Sequence, residues 1–152
     1  MSTTSRSGFT LIELLLVIGI IAILVSIVIV AINPAKSIGE ARDAQRRQDV
    51  HTILNAVYDY LLDNDGTLPA GIPVAAPKVI CQSDVAPADC AAKYNGVSLR
   101  VLSGSHLSLV PRDPLVSYTG TGTRYTIMQD ANDRIVVTAP GAERAEKIEA
   151  MR

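Results

Sequence analysis

The sequence has no Gly-x-Ser-x-Gly elbow, no His-Glu-x-x-His pair, no P-loop and no zinc-ligand spacing. Those absences remove the usual signatures of serine hydrolases, zinc peptidases and phosphate-binding enzymes. Its two histidines are His51, in a helical segment, and His106, beside Ser105 in a turn. A Ser/His/Asp set can be picked from almost any chain of this length, so no catalytic residue is assigned and the chain reads as a non-enzyme. An excess of one charge is missing too. With 14 basic against 15 acidic residues the net charge is -1, and no basic field argues for nucleic acid. Cysteine is scarce. Cys81 and Cys90 form neither a Cys-x-x-Cys redox motif nor, as a pair, a zinc site. In a cytosolic protein they would be free thiols; in an exported domain a pair this close can close a small disulfide loop. The turn Asp63-Asn64-Asp65-Gly66 lacks the further ligands and closing Glu of a calcium loop, so no metal or other cofactor is implied. No internal repeat occurs.

What is abundant is apolar surface, and it is concentrated near the start. Hydrophobic residues make up 48% of the chain, and the 19 residues from Leu14 to Ile32 carry no charge. As a helix that run is about 28 Å long at ~1.5 Å per residue, close to the hydrocarbon thickness of a bilayer. It is apolar on every face, which excludes an amphipathic surface helix. Its β-branched content suits a strand, but a continuous run of this length satisfies its backbone in lipid only as a helix. Three ordinary readings compete: a cleaved secretory signal, a plain membrane anchor and a buried core helix. The run is long for a signal peptide and no Ala-x-Ala-like site follows it. Arg6 and the chain amine precede it, which places the N-terminus inside and the rest outside. The count is close, because Lys36, Arg42, Arg46 and Arg47 follow the run, accompanied by Glu40, Asp43 and Asp49.

The residues just ahead of the run read Ser7-Gly8-Phe9-Thr10-Leu11-Ile12-Glu13-Leu14-Leu15. Over residues 6–32 the chain resembles the type IV prepilin and pseudopilin family. Its members carry a short leader ending in Gly, then Phe, then a Glu five residues into the mature chain, then an apolar helix. The resemblance implies cleavage by a prepilin peptidase between Gly8 and Phe9 and methylation of the new Phe9 amine. Gly8 lets an extended backbone enter a protease cleft closely. A cut on this side of the apolar run leaves the anchor in place. Glu13 is costly at the edge of hydrocarbon, and such residues tend to be functional. Its ordinary reading is an interfacial acid. The resemblance implies that it pairs with the Phe9 amine of a neighbouring subunit and sets the axial register. Gly19, Ala22 and Ser26 form a rough strip of small residues, a feature common in any span.

Beyond the run, Asn33-Pro34 either ends the helix or kinks it. Residues 35–64 read as an amphipathic helix, with Val50, Ile53, Leu54, Val57, Leu61 and Leu62 on one face and Arg46, Arg47, Asp49, Asn55 and Asp59 on the other. The stretch Glu40 to Gln48 is polar nearly all round and reads as projecting between membrane and head. The Arg42, Arg46, Arg47 cluster reads as a solvated face, or else a lipid-headgroup contact. Gly66 suits a helix C-terminal cap. The segment 70–96, rich in Ala and Pro, reads as a surface loop, which a Cys81–Cys90 disulfide would close if the head is exported. Strand-like runs follow at Val97–Leu102, Leu107–Val110, Arg124–Gln129 and Arg134–Thr138, with Asp130-Ala131-Asn132-Asp133 as a hairpin turn and Gly120 to Thr123 as a flexible connection. Pro111-Arg112-Asp113-Pro114 resembles the Pro-x-Asp-Pro element of pseudopilins and small pilins. Ala142–Arg152 reads as a short charged helix or a frayed tail.

The expected fold is α+β: a long N-terminal helix whose lower half is transmembrane and whose upper half packs on a small antiparallel sheet. The divisions are a leader at 1–8, a membrane and assembly helix at 9–34, an amphipathic helix at 35–66 and a head at 67–152. The resemblance implies an inner-membrane protein with its head outside, which later becomes a cell-surface or periplasmic filament. Its implied partners are the prepilin peptidase, copies of itself and related minor pilins, membrane lipid before assembly, and an inner-membrane platform with a motor ATPase. A pilus subunit, a type II secretion pseudopilin and a monomeric anchored binding module then compete.

Overall fold

The structure, a computed structural model, describes residues 8–115, 122–144 and 147–152. The leader before Gly8, with Arg6, lies outside the described residues, as do Gly120 and Thr121 of the predicted connection. The chain divides into two compact units, 1–38 and 39–152.

Helix α1, Leu11–Ile32, starts at a Thr10 N-cap and is 22 residues long. It is long and apolar enough to cross a membrane, and no residue of it is buried. The hydroxyl of Ser26 donates to the Ile23 carbonyl at 2.7 Å, so this polar group is satisfied inside its own helix. At Asn33 the backbone turns left-handed (φ 48°) and α1 ends. Helix α2, Pro34–Asp63, begins at the next residue. Proline at a first helical position lacks only an N–H that would have had no partner there. Asn33 serves both helices: it closes α1, and its Oδ1 accepts from the Lys36 N–H at 3.3 Å. Of the two readings of Asn33-Pro34, the break is the one observed.

In the second unit α2 presents Val50, Ile53, Leu54, Ala56 and Val57 to the core. It closes at the predicted turn, where Gly66 (φ 80°) donates its N–H to the Leu61 carbonyl at 2.8 Å. Among the described residues the sheet has four antiparallel strands in chain order: β1 Lys78–Cys81, β2 Gly122–Gln129, β3 Ile135–Ala139 and β4 Ile148–Met151. Ile80, Tyr125, Ile127, Ile135, Val137 and Ile148 pack with α2 in one hydrophobic cluster. The α+β layout is therefore the one expected, and the hairpin at Asp130–Asp133 joins β2 to β3, with the Asp130 carboxylate accepting from the Asn132 and Arg134 N–H groups.

Four local expectations are corrected. The 70–96 segment is not an irregular loop. It contains β1 and helix α3, Pro87–Tyr94, which has proline in its first turn and a left-handed Asn95 at its end. The small, Pro-rich composition hid an ordinary start and stop pair. Val97–Leu102 is not a strand: Val97 makes one bridge with Ile80, and Arg100–Leu102 is a single 3₁₀ turn. Leu107–Val110 contributes only a bridge from Leu107 to Ser103. In both runs the apolar residues are right for burial, but short apolar runs do not report their backbone. The chain end is neither helix nor frayed tail, since residues 148–151 form β4. Ile148 and Ala150 face inward there, and pairing with β3 outweighs the local charge.

The sequence also placed Leu62 on the apolar face and Arg46 on the solvated one. Leu62 is 75% exposed, whereas Arg46 is fully buried. Glu40 to Gln48 is likewise not polar all round in its surroundings, because Asp43 is buried beside Arg46.

Candidate functional site

The N-terminal junction is built from the capping residues of α1. Gly8, Phe9 and Thr10 precede the helix without regular structure, and all three are exposed. A side chain added at Gly8 would meet nothing within 4 Å. The Gly8–Phe9 bond is thus exposed and lies outside any regular element. Glu13 lies in the first turn of α1. Its Oε2 accepts from the Thr10 N–H at 2.9 Å and from the Thr10 hydroxyl at 2.8 Å, while the Glu13 N–H donates to Thr10 Oγ1 at 3.3 Å. This reciprocal capping box satisfies a donor that the helix start leaves open and gives the carboxylate polar partners at the edge of the apolar run. Thr10 was missed in reading the sequence. Its signal was present: a Thr three residues before a Glu, just ahead of an apolar run, is the capping-box pattern.

The second constellation lies in the head. The Arg46 guanidinium forks onto Asp113, with Nε to Oδ2 at 2.8 Å and Nη2 to Oδ1 at 3.0 Å. Its Nη1 donates to Asp43 Oδ1 at 2.8 Å and to Glu143 Oε1 at 3.0 Å. Asp43 in turn accepts the N–H groups of Glu143 and Arg144 at 2.9 and 2.6 Å. Asp113 also accepts the Leu115 N–H at 2.9 Å, and Arg124 stands 3.9 Å from it. One cation thus joins α2 to the Pro-Arg-Asp-Pro loop and to the segment after β3. Burial alone pushes the Asp113 carboxyl up, but the hydrogen bonds from Arg46 and Leu115 and the nearby positive charges outweigh it, and its net shift is downward. Arg46 is held more firmly protonated by the same contacts. Asp49, one turn along α2, behaves oppositely. Burial dominates and raises it, although Tyr125 donates its hydroxyl to Oδ2 at 2.6 Å. These charges fill the place of apolar core residues and act structurally. The signal that separates Arg46 from its exposed neighbour Arg47 is the helical period: Arg46 stands four residues before Val50 and seven before Ile53, on the face that packs inward, and its charge hid that position.

Cys81 and Cys90 form a disulfide, with their Cα atoms 6.0 Å apart. It ties the end of β1 to α3, and both cysteines are buried. Gly96 lies against the bridge, where an added Cβ would come within 2.8 Å of Cys81 Sγ and 3.0 Å of Cys90 Sγ. That close approach lets Val97 pair with the outer side of β1: its N–H donates to the Val79 carbonyl at 2.8 Å, and its carbonyl accepts from the Cys81 N–H at 3.0 Å. Two outward backbone groups at the end of β1 are thereby paired.

Residues 3–32 match the family described as the prokaryotic N-terminal methylation motif. This is the prepilin-type cleavage and methylation signal. It marks a type IV pilin or pseudopilin-like precursor, which implies processing by prepilin peptidase and assembly into pilus-type filaments. It belongs to structural proteins, which accords with a non-enzyme, and the apolar helix accords with a single membrane anchor. No curated protein and no solved structure matches the chain.

Proposed function

We propose that this chain is a subunit of a type IV pilus, made as a prepilin with residues 1–8 as its leader. The peptidase cuts between Gly8 and Phe9, the Phe9 amine is methylated, and the anchor helix remains in the membrane with the head outside. Subunits then leave the bilayer and bundle their apolar helices, which keeps that surface from water without lipid. The observation that carries this reading is the coincidence of the methylation motif with a capped, wholly unburied apolar helix directly behind the Gly8–Phe9 bond. Mass spectrometry of the protein from cells tests it: the expected mature chain begins with N-methylated Phe9. A chain still carrying residues 1–8, or one beginning beyond Ile32, overturns the reading.

In this scheme Glu13 has two successive partners. Before assembly it is held by Thr10 of its own chain; in the filament its carboxylate meets the Phe9 amine of a neighbour. Losing one partner of a desolvated ion pair costs about 3–5 kcal/mol. Glu13→Ala therefore abolishes filaments while leaving membrane insertion intact, as read by filament shearing and membrane fractionation from the same cells.

The disulfide-closed head accords with an exported, oxidising location. A pseudopilin of a type II secretion system shares the N-terminal features, and deletion separates the two: loss of surface filaments supports the pilus, and loss of protein secretion supports the pseudopilus.

A further inference from the structure

The exposed face of α2 carries its unmatched charges on opposite flanks. At 100° per residue, Arg47 and Asp59 are about 120° apart around the helix and ~18 Å apart along it. Both side chains are exposed. Among the described residues neither has an oppositely charged group within ion-pair distance. Asp63, one turn beyond Asp59, adds negative charge to the same flank; its side chain is 72% exposed, and His106 Nδ1 stands 3.7 Å from it. On the other flank Lys36 and Glu40 precede Arg47 and offset each other in sign. Between the flanks the exposed strip is neutral or apolar, with Ala44, Gln48, His51, Asn55 and Leu62.

We infer that this face is a contact between copies of this chain, in which Arg47 of one subunit meets Asp59 of the next. The inference rests on the filament reading above and adds the residues of the head contact. The charge pattern identifies the occupant. An anionic lipid surface or a nucleic acid would attract Arg47 and be repelled by Asp59 on the same face. A second copy supplies both complements at once. Because the two charges lie on opposite flanks and at different heights, the contact is heterologous. Repeated along the filament it builds an open helical array and not a closed dimer.

The test uses the full chain in cells that assemble it. Arg47→Asp and Asp59→Arg each place like charges in the contact. Each is expected to lower filament yield about fivefold at low ionic strength, with a smaller effect at high salt. The double reversal in one chain restores the yield. A second measurement is covalent. Cysteines placed at 47 and 59 of one rigid helix are too far apart to bond within a chain, so oxidation gives a ladder of linked subunits only if copies meet there. Unchanged yield in both single reversals, with no ladder, overturns the contact and leaves the filament reading standing. Absence of filaments from the unsubstituted chain overturns both. A loss with Arg47→Asp that Asp59→Arg does not reproduce, and that the double reversal does not repair, points to an anionic surface and also overturns the contact.

Discussion

Helices α1 and α2 follow one another across a single residue, yet they are stabilised by opposite means. Every side chain of α1 is unburied. Its backbone bonds are internal, its start is closed by Thr10 and Glu13, and its apolar surface calls for lipid or other apolar helices. Helix α2 is far more polar, and it is fixed by the head: Val50, Ile53 and Val57 pack on the sheet, and Arg46 is enclosed by Asp43, Asp113 and Glu143. The comparison teaches that hydrophobic content does not say which helix is buried. The most apolar helix has no core of its own, and a fully charged side chain sits inside the core of the other.

Removing Arg46 should separate the two helices most sharply. Arg46→Ala leaves buried carboxylates without their cation, and the head should lose about 3–5 kcal/mol. Denaturation of the detergent-solubilised chain measures that loss, while membrane fractionation should show α1 inserting as before. If the head keeps its stability, the contrast fails. Next in size is the bridge. Replacing Cys81 and Cys90 with Ser should cost ~2–3 kcal/mol on a chain-entropy estimate, again only in the head. Hydrogen exchange at Val97 should rise with it, because the bridge holds the strand pairing on β1.

A smaller effect distinguishes two acids on or against α2. Asp113 is depressed in the folded head, so its contribution is present above its unfolded value, about 3.9, and is lost as pH falls through the folded value. Asp49 is raised, so its ionised form burdens the fold, and that burden is lifted as pH falls through its raised value. Acid titration of head stability should therefore show mild relief first and loss only below about pH 4. The smallest effect follows directly: Asp49→Asn should change stability by less than about 1 kcal/mol at neutral pH and abolish the early relief. Circular dichroism melts across the pH range read both.

The stretch 6–32 was legible because its information is local. A Gly-Phe junction, an acid at fixed spacing and an uncharged run are all consecutive, and so was the Thr10 capping signal that reading overlooked. Val50, Ile53, Leu54 and Val57 were legible by period, and β2 and β3 by their hairpin. The same period sets Arg46 on the inward face and Arg47 off it, but a charge on an apolar face becomes credible only once its partners are known, and Asp113 and Glu143 are distant in sequence.

By itself the sequence determined the apolar helix and the methylation motif, since each depends on neighbours along the chain; at Asn33-Pro34 it left a break and a kink open. Tertiary structure alone decided that Arg46 is enclosed, that 148–151 is a strand and that Gly96 sits on the disulfide. Each of those depends on groups distant in sequence: Asp113 and Glu143 for the cation, β3 for the edge pairing, and Cys81 for the close approach. Charge compensation, strand pairing and close approach are properties of the assembled surroundings, so no local pattern could name the partners.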